Sequence, residues 1–161
     1  MTTVTVRNLT RRRTPRVPYE DIARIALPRW ELSLVLVGAA RARSANKGLR
    51  KKDYVPNVLS YEVGEDSGEI LLCLEEAQRQ APAYDLSYRD FVAYLFIHAC
   101  LHLKGYPHGP TMDAEERALM ARFISVSHKN LRNGPTHRNR NRHRDLPDES
   151  SRRRRSGRKR Y

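Results

Sequence analysis

Three histidines stand within eleven residues of this chain, and they constrain its fold more than any other feature. His98 and His102 are four residues apart in an apolar, helix-forming segment, so both imidazoles lie on one face of the helix. Gly105 permits the left-handed conformation that commonly ends a helix, and the chain then returns to bring His108 towards the same point. We therefore expect a long helix whose carboxyl end carries a three-histidine cluster.

Three neutral imidazoles suit one zinc ion, with Zn–N distances of about 2.1 Å. They leave a fourth tetrahedral position for water, which is the pattern of a catalytic zinc site. Nickel and copper also accept histidine-only ligation. A lone helical histidine is usually a core residue, but a third histidine beyond a glycine turn makes coincidence a poor explanation. Cys100 lies about 200° of helix rotation from His98 and from His102, so its thiol is expected to face the core.

The same histidine spacing, with Gly105 between His102 and His108, also matches the metzincin zinc proteases. Those enzymes need a glutamate directly after the first histidine as the general base. Ala99 occupies that position and cannot take up a proton. A peptidase with an unusual base is therefore the weakest of the alternatives.

The remaining sequence predicts short strands alternating with helices. Runs of β-branched or alternating residues predict strands, and apolar residues at helical spacing between proline and glycine breaks predict helices. The predicted strands cover residues 2–7, 31–37, 57–63 and 69–74, and the predicted helices cover 19–27, 39–49, 75–81, 86–104 and 113–131. The fold class indicated is α+β: a single compact domain with a small mixed sheet, about five helices and a zinc site at the end of a long central helix.

The positive charge of the chain is concentrated at its carboxyl end. The net charge is +13, and residues 132–161 hold twelve Lys and Arg against three acidic residues. Because this segment is almost without apolar residues, we predict a disordered basic tail over 132–161 after a domain over 1–131. Two cysteines suggest no disulfide framework, and no apolar run is long enough for a membrane span, so we expect a cytoplasmic protein without a membrane partner.

Two blocks of the sequence resemble a known family. The first block reads H-A-C-L-H-L-K-G-Y-P-H, and it matches the signature H-G-x-L-H-L-x-G-Y-D-H at His98, Leu101, His102, Leu103, Gly105, Tyr106 and His108. The second matches the pattern N-x-x-Y-R-x-K-D-x-P-T-N-V-L-S-F at Asn46, Arg50, Lys52, Asp53, Asn57, Val58, Leu59 and Ser60. Both patterns are those of the YbeY-type endoribonucleases, which are bacterial rRNA maturation factors.

The resemblance implies a compact α+β fold with one zinc ion at a cleft. It also implies hydrolysis of single-stranded RNA in ribosome quality control and in maturation of the small-subunit rRNA 3′ end, with rRNA and the small subunit as partners. The family's functional arginine corresponds to Arg50, whose guanidinium can hold a phosphate in two hydrogen bonds. Without the resemblance, Arg50 would be interpreted as a solvated surface cation. Further RNA contacts are predicted at Lys51, Lys52, Asn57, Ser60, Arg152, Arg153, Arg154 and Arg155.

Two positions of the first block depart from the family signature. Ala99 replaces a glycine, and Pro107 replaces an aspartate and cannot supply a carboxylate to orient a ligand. Loss of such an outer-shell partner can cost about 10–100-fold in metal affinity or activity. The alternative to the nuclease is therefore a non-catalytic, zinc-stabilised factor for ribosome assembly or RNA binding. The sequence does not indicate an oligomeric state.

Overall fold

The structure is a computed structural model that describes residues 1–124. Its elements follow the predicted alternation of strands and helices. In chain order they are β1 (Thr3–Asn8), α1 (Tyr19–Ala26), β2 (Glu31–Val37), α2 (Ala39–Arg50), β3 (Val58–Gly64), β4 (Ser67–Cys73), α3 (Leu74–Gln80), a short 3-10 helix (Ala81–Tyr84), α4 (Tyr88–Leu103) and α5 (Pro110–Phe123). This is the α+β class expected from the sequence, with the mixed sheet and five α-helices.

The four strands form one mixed sheet in the order β1-β2-β4-β3. β2 is central and runs parallel to both β1 and β4, so Leu34 pairs with Val6 on one side and Ile70 on the other. β3 is antiparallel to β4, which confirms the predicted hairpin. Asp66 adopts a positive φ of 50° in its turn. The parallel pairs require the crossovers that α1 and α2 provide.

Helices cover both faces of the sheet, which explains why β2 is so apolar. Leu34 and Leu36 belong to the main core, which the sheet forms with α1, α4 and α5. Val35 and Val37, on the opposite face, pack with Ala42 of α2. A strand with both faces covered is expected to be almost continuously hydrophobic.

Helix α4 is the centre of the fold, because it contacts α1, α3, α5 and the sheet. Ser87 caps it, and its hydroxyl accepts a hydrogen bond from the Asp90 amide at 3.1 Å. Gly105 ends it with a φ of 97°. The Tyr106 amide donates to the Leu101 carbonyl at 3.1 Å, the bond that characterises a Schellman turn. The predicted long central helix with a glycine stop is therefore confirmed.

The last helix differs from its prediction. It begins at Pro110, three residues before the predicted start at Asp113, because proline suits the first helical turn. It ends at Phe123, and Ile124 is already extended, so the helix predicted over 113–131 does not continue unbroken past Phe123; residues 125–131 lie outside the described part of the chain. The predicted domain end at residue 131, the basic tail and Arg152, Arg153, Arg154 and Arg155 lie outside the described residues. Within residues 1–124, no helix has the length and apolar character needed to cross a bilayer.

Candidate metal centre

The carboxyl end of α4 and the turn after it bring the three predicted histidines together. The Nε2 atoms of His98 and His102 are 3.0 Å apart. The ring of His108 lies 5.3 Å from that of His98 and 4.4 Å from that of His102, centroid to centroid. One ligand atom from each of the three histidines lies within 4.8 Å of those of the other two. The cluster predicted from spacing is therefore present and has the arrangement of a possible metal site.

The arrangement of the ring nitrogens fits a cation. Two nitrogens on one zinc ion at about 2.1 Å each stand no more than about 4.2 Å apart, and the His98–His102 pair meets that limit. His98 and His102 are half-buried and His108 is exposed, so the cluster opens to solvent on one side. This combination of fixed ligands and an open side is what a catalytic ion needs.

Two acceptors determine which nitrogen of each helical histidine carries the proton. Nδ1 of His98 lies 2.8 Å from a carboxylate oxygen of Glu116, and Nδ1 of His102 lies 3.1 Å from the Tyr106 carbonyl. A carbonyl oxygen and an ionised carboxylate oxygen can only accept hydrogen bonds, so each Nδ1 is assigned the hydrogen. Both Nε2 lone pairs then point into the cluster. Two lone pairs facing each other at 3.0 Å repel unless a cation lies between them, which favours a metal ion there.

Glu116 is the site residue that the sequence analysis missed. It lies near the start of α5, where the helix dipole favours acidic residues on the surface, but its own side chain is only 1% exposed. It lies on the same buried face of α5 as Met112, Leu119 and Met120. A glutamate at a position where the helical spacing calls for an apolar residue was the signal that could have identified it. A buried carboxylate needs a partner, and His98 supplies one.

His102 has a pKa lowered to about 4. Burial is the largest cause, followed by the electrostatic influence of the neighbouring imidazoles of His98 and His108. The charge of Arg50 contributes in the same direction, which means that this guanidinium lies close enough to the cluster to act on it. His102 is therefore neutral at pH 7 and able to donate its Nε2 lone pair.

Arg50 is the last residue of α2 and is exposed. The segment after it is anchored to α2: the Asn46 carbonyl accepts from the Lys52 amide at 3.3 Å, and the Asn46 side chain donates to the Tyr54 carbonyl at 3.1 Å. Asp53 also pairs with Arg43 at 2.6 Å. These contacts hold the backbone that follows Arg50 against α2.

The other residues predicted near the site have different surroundings. Lys51 and Lys52 are exposed next to Arg50. Asn57 donates from its amide to Gln80 at 2.9 Å, and Ser60 is half-buried in β3. Cys100 is fully buried away from the ligand cluster, and burial raises its thiol pKa, as expected for a core cysteine.

The fold and the cluster together define an α+β protein with a three-histidine candidate metal centre at the end of its central helix. The model of the family described as Endoribonuclease YbeY matches residues 14–129. The chain belongs to that family, as the sequence motifs predicted. It is 35% identical to an Endoribonuclease YbeY from Thiobacillus denitrificans over 103 residues, which cover 58% of this chain and 70% of that protein.

Other relatives give the same result. The chain is 40% identical to an Endoribonuclease YbeY from Bordetella petrii over 91 residues, covering 53% of this chain and 59% of that one. The solution structure of TM1509 from Thermotoga maritima superimposes with a TM-score of 0.53. That match covers 72% of this chain and 87% of the other at 20% identity, so it supports the fold alone.

Proposed function

We propose that this chain is a zinc-dependent endoribonuclease that cleaves single-stranded RNA at the His98, His102 and His108 centre. The observation that carries the proposal is the convergence of the three imidazoles, with both helical Nδ1 atoms hydrogen-bonded so that both Nε2 atoms face one point. Family membership supplies the reaction class, because the relatives are named endoribonucleases.

The chemistry of the donor set favours zinc. Three neutral nitrogens leave the full positive charge of the ion in place, and such an ion polarises a phosphoryl oxygen and lowers the pKa of water to about 7. The chain's own residues hold the ligands in position. Glu116 fixes the ring of His98, the Tyr106 carbonyl fixes that of His102, and the lowered His102 pKa keeps that imidazole neutral.

Arg50 is the residue that we propose to bind the scissile phosphate. Its guanidinium is exposed and near the cluster, and a guanidinium binds a phosphate through two parallel hydrogen bonds. Charge that develops on the phosphate during cleavage is stabilised by such a preorganised donor. Lys51 and Lys52 extend the positive surface along the RNA. Asn57 and Ser60 lie where the loop after α2 leads into β3. Glu116 is buried against His98, so its role is positioning rather than proton transfer.

The substrate proposed is rRNA, at the 3′ end of the small-subunit rRNA and in ribosome quality control. The support for this is the close match of both sequence blocks to a family of rRNA maturation factors, together with a net charge of +13 that favours a polyanion. The predicted tail arginines Arg152, Arg153, Arg154 and Arg155 would add electrostatic attachment to the same RNA. The proposed place of action is the cytoplasm, where ribosomes are assembled.

The test is a cleavage assay on single-stranded RNA with His102→Ala, and with Glu115→Ala as an alanine control at an exposed position of α5. We expect the first variant to lose both bound zinc and cleavage, and the control to keep both. Equal cleavage by the two variants would refute the proposal. Loss of zinc and of thermal stability, with no cleavage by the parental chain either, would instead support the non-catalytic assembly factor.

A further inference from the structure

A second positive surface lies in the segment between β1 and α1. Residues 1–19 contain five arginines and no acidic residue. Four of these arginines fall within residues 10–16, which we call the arginine loop: Arg11, Arg12, Arg13 and Arg16. All four are exposed. The match to the family model begins at residue 14, so three of the four precede the matched residues.

The arginine loop has a defined conformation despite its charge. The Asn8 side chain donates to the Arg12 carbonyl at 2.7 Å and to the Thr14 hydroxyl at 3.1 Å. Its oxygen accepts from the amide and the hydroxyl of Thr10 at 2.9 and 2.7 Å. The Thr10 hydroxyl in turn accepts from the Arg12 amide at 3.1 Å. This network folds the segment into a compact turn around one asparagine.

Two hydrogen bonds also attach the arginine loop to helices α3 and α4. The Arg12 guanidinium donates to the side-chain oxygen of Gln78 in α3. Arg89, in the first turn of α4, donates to the Arg16 carbonyl at 2.9 Å. The contacts fix the backbone of the loop while the guanidinium groups of Arg11 and Arg13 remain exposed.

Holding four like charges in one turn is unfavourable unless an anion neutralises them. None of the ion pairs among residues 1–124 includes an arginine of this loop, although Arg24, Arg43, Arg79 and Arg89 each have a carboxylate partner. The charge of the loop is therefore available to an external partner. A preorganised set of guanidiniums lowers the entropy cost of binding a phosphate backbone.

The loop and the histidine cluster lie towards opposite ends of α4. Arg89 and His102 are thirteen residues apart in that helix, which corresponds to about 20 Å along its axis. A ligand in the metal centre is thus not in contact with the arginine loop unless it is a long polymer. The neighbouring exposed apolar side chain is Leu9, which is too little apolar area for a surface that inserts into lipid.

We propose that the arginine loop is a second RNA-binding surface, which holds the phosphate backbone of a long RNA whose cleaved strand enters the metal centre. The RNA identity of the partner rests on the proposed function, but binding at the loop does not require cleavage. The loop would favour long or structured RNA over short oligonucleotides, because a short RNA reaches the metal centre alone.

The test is RNA binding by the full chain carrying Arg11→Gln and Arg13→Gln together. The matched control is Arg24→Gln with Arg122→Gln, which removes the same charge from exposed positions on α1 and α5. Binding is measured by fluorescence anisotropy over a salt series with 2′-O-methyl RNAs of about 4 and about 16 nucleotides, the usual range of single-strand site sizes. Vesicles of phosphatidylcholine and phosphatidylserine provide the lipid comparison.

We expect the loop variant to bind the longer RNA about 10- to 25-fold more weakly at roughly 0.1 M salt. The slope of log K against log salt should become shallower by about 1.4, at about 0.7 for each lost phosphate contact. Binding of the short RNA should match that of the control variant. The proposal is overturned if the two variants bind the longer RNA equally, or if the loop variant loses vesicle binding and keeps RNA binding.

The outcome is separable from that of the cleavage assay. A chain that cleaves no RNA but loses long-RNA affinity through the loop refutes the nuclease and keeps the binding surface. A chain that cleaves unmodified single-stranded RNA, and whose loop variant binds the long 2′-O-methyl RNA like the control, refutes the binding surface and keeps the nuclease.

Discussion

Glu116 offers the sharpest test of how the metal centre is built. Its carboxylate is nearly inaccessible and lies 2.8 Å from Nδ1 of His98. In Glu116→Gln, the side-chain carbonyl can still accept that hydrogen bond, so the ring keeps its orientation and loses only the neighbouring negative charge. Glu116→Leu removes both. Outer-shell partners of metal-bound histidines are worth about 10–100-fold in affinity.

We therefore expect zinc affinity to fall about 10-fold in Glu116→Gln and up to about 100-fold in Glu116→Leu, which corresponds to about 1.4–2.7 kcal/mol. The measurement is competition for zinc against a chromophoric chelator. Glu115→Gln is the matched control, because Glu115 is adjacent and exposed. The reasoning is refuted if Glu116→Gln and Glu115→Gln bind zinc equally.

A second measurement separates positioning from a purely structural role. A buried carboxylate is costly to desolvate, so its neutral isostere should leave the metal-free protein as stable as the parent or more stable. The melting temperature of metal-free Glu116→Gln is expected to match or exceed that of the parental chain. A clear decrease would show that the carboxylate mainly stabilises the fold.

Three further changes have defined outcomes. Arg50→Ala should lower kcat by about 100-fold in RNA cleavage, while Lys51→Ala should have a much smaller effect; similar losses in both would contradict a specific phosphate contact. Gly105→Ala should destabilise the chain by about 1–2 kcal/mol in denaturant unfolding, because a φ of 97° is unfavourable for a residue with a Cβ atom. Gly48→Ala in α2 should cause no such loss, because alanine is favoured over glycine in a helix. An added Cβ meets no atom within 4 Å at either position, so steric contact does not distinguish the two variants. Zinc at 100 times its Kd should stabilise the folded chain by about 2.7 kcal/mol, and a chelator should remove that stabilisation. The unfolding free energy of His102→Ala should not change on chelation. An equal change in the variant and the parental chain would place the ion elsewhere.

Local patterns were sufficient for most of the elements. The apolar run of β2, the Ser87 cap and the Gly105 stop each reflect interactions within a few residues, so they were predicted where they occur. The histidine cluster was predicted for the same reason, because its ligands come from one helix and the turn that follows it. The predicted start of α5 is three residues late because Pro110 forms part of the first helical turn, where proline is favoured.

Long-range features were not accessible in this way. The pairing of β2 with β4, and the position of β3 at the far edge, depend on packing between segments that are distant in sequence. Glu116 was missed because its partner, His98, is eighteen residues away on another helix. The proximity of Arg50 to the cluster likewise came from family resemblance and not from local pattern, since α2 and α4 are separate in the chain.

The measurement that tests the central claim most directly is a zinc titration of RNA cleavage by the metal-depleted chain. Cleavage of single-stranded RNA should be absent without metal, rise with added zinc and saturate at one equivalent per chain. X-ray absorption of that saturated form should show nitrogen ligands at about 2.1 Å. Cleavage that is independent of zinc, or saturation without any cleavage, would contradict the assignment of a catalytic ion to His98, His102 and His108.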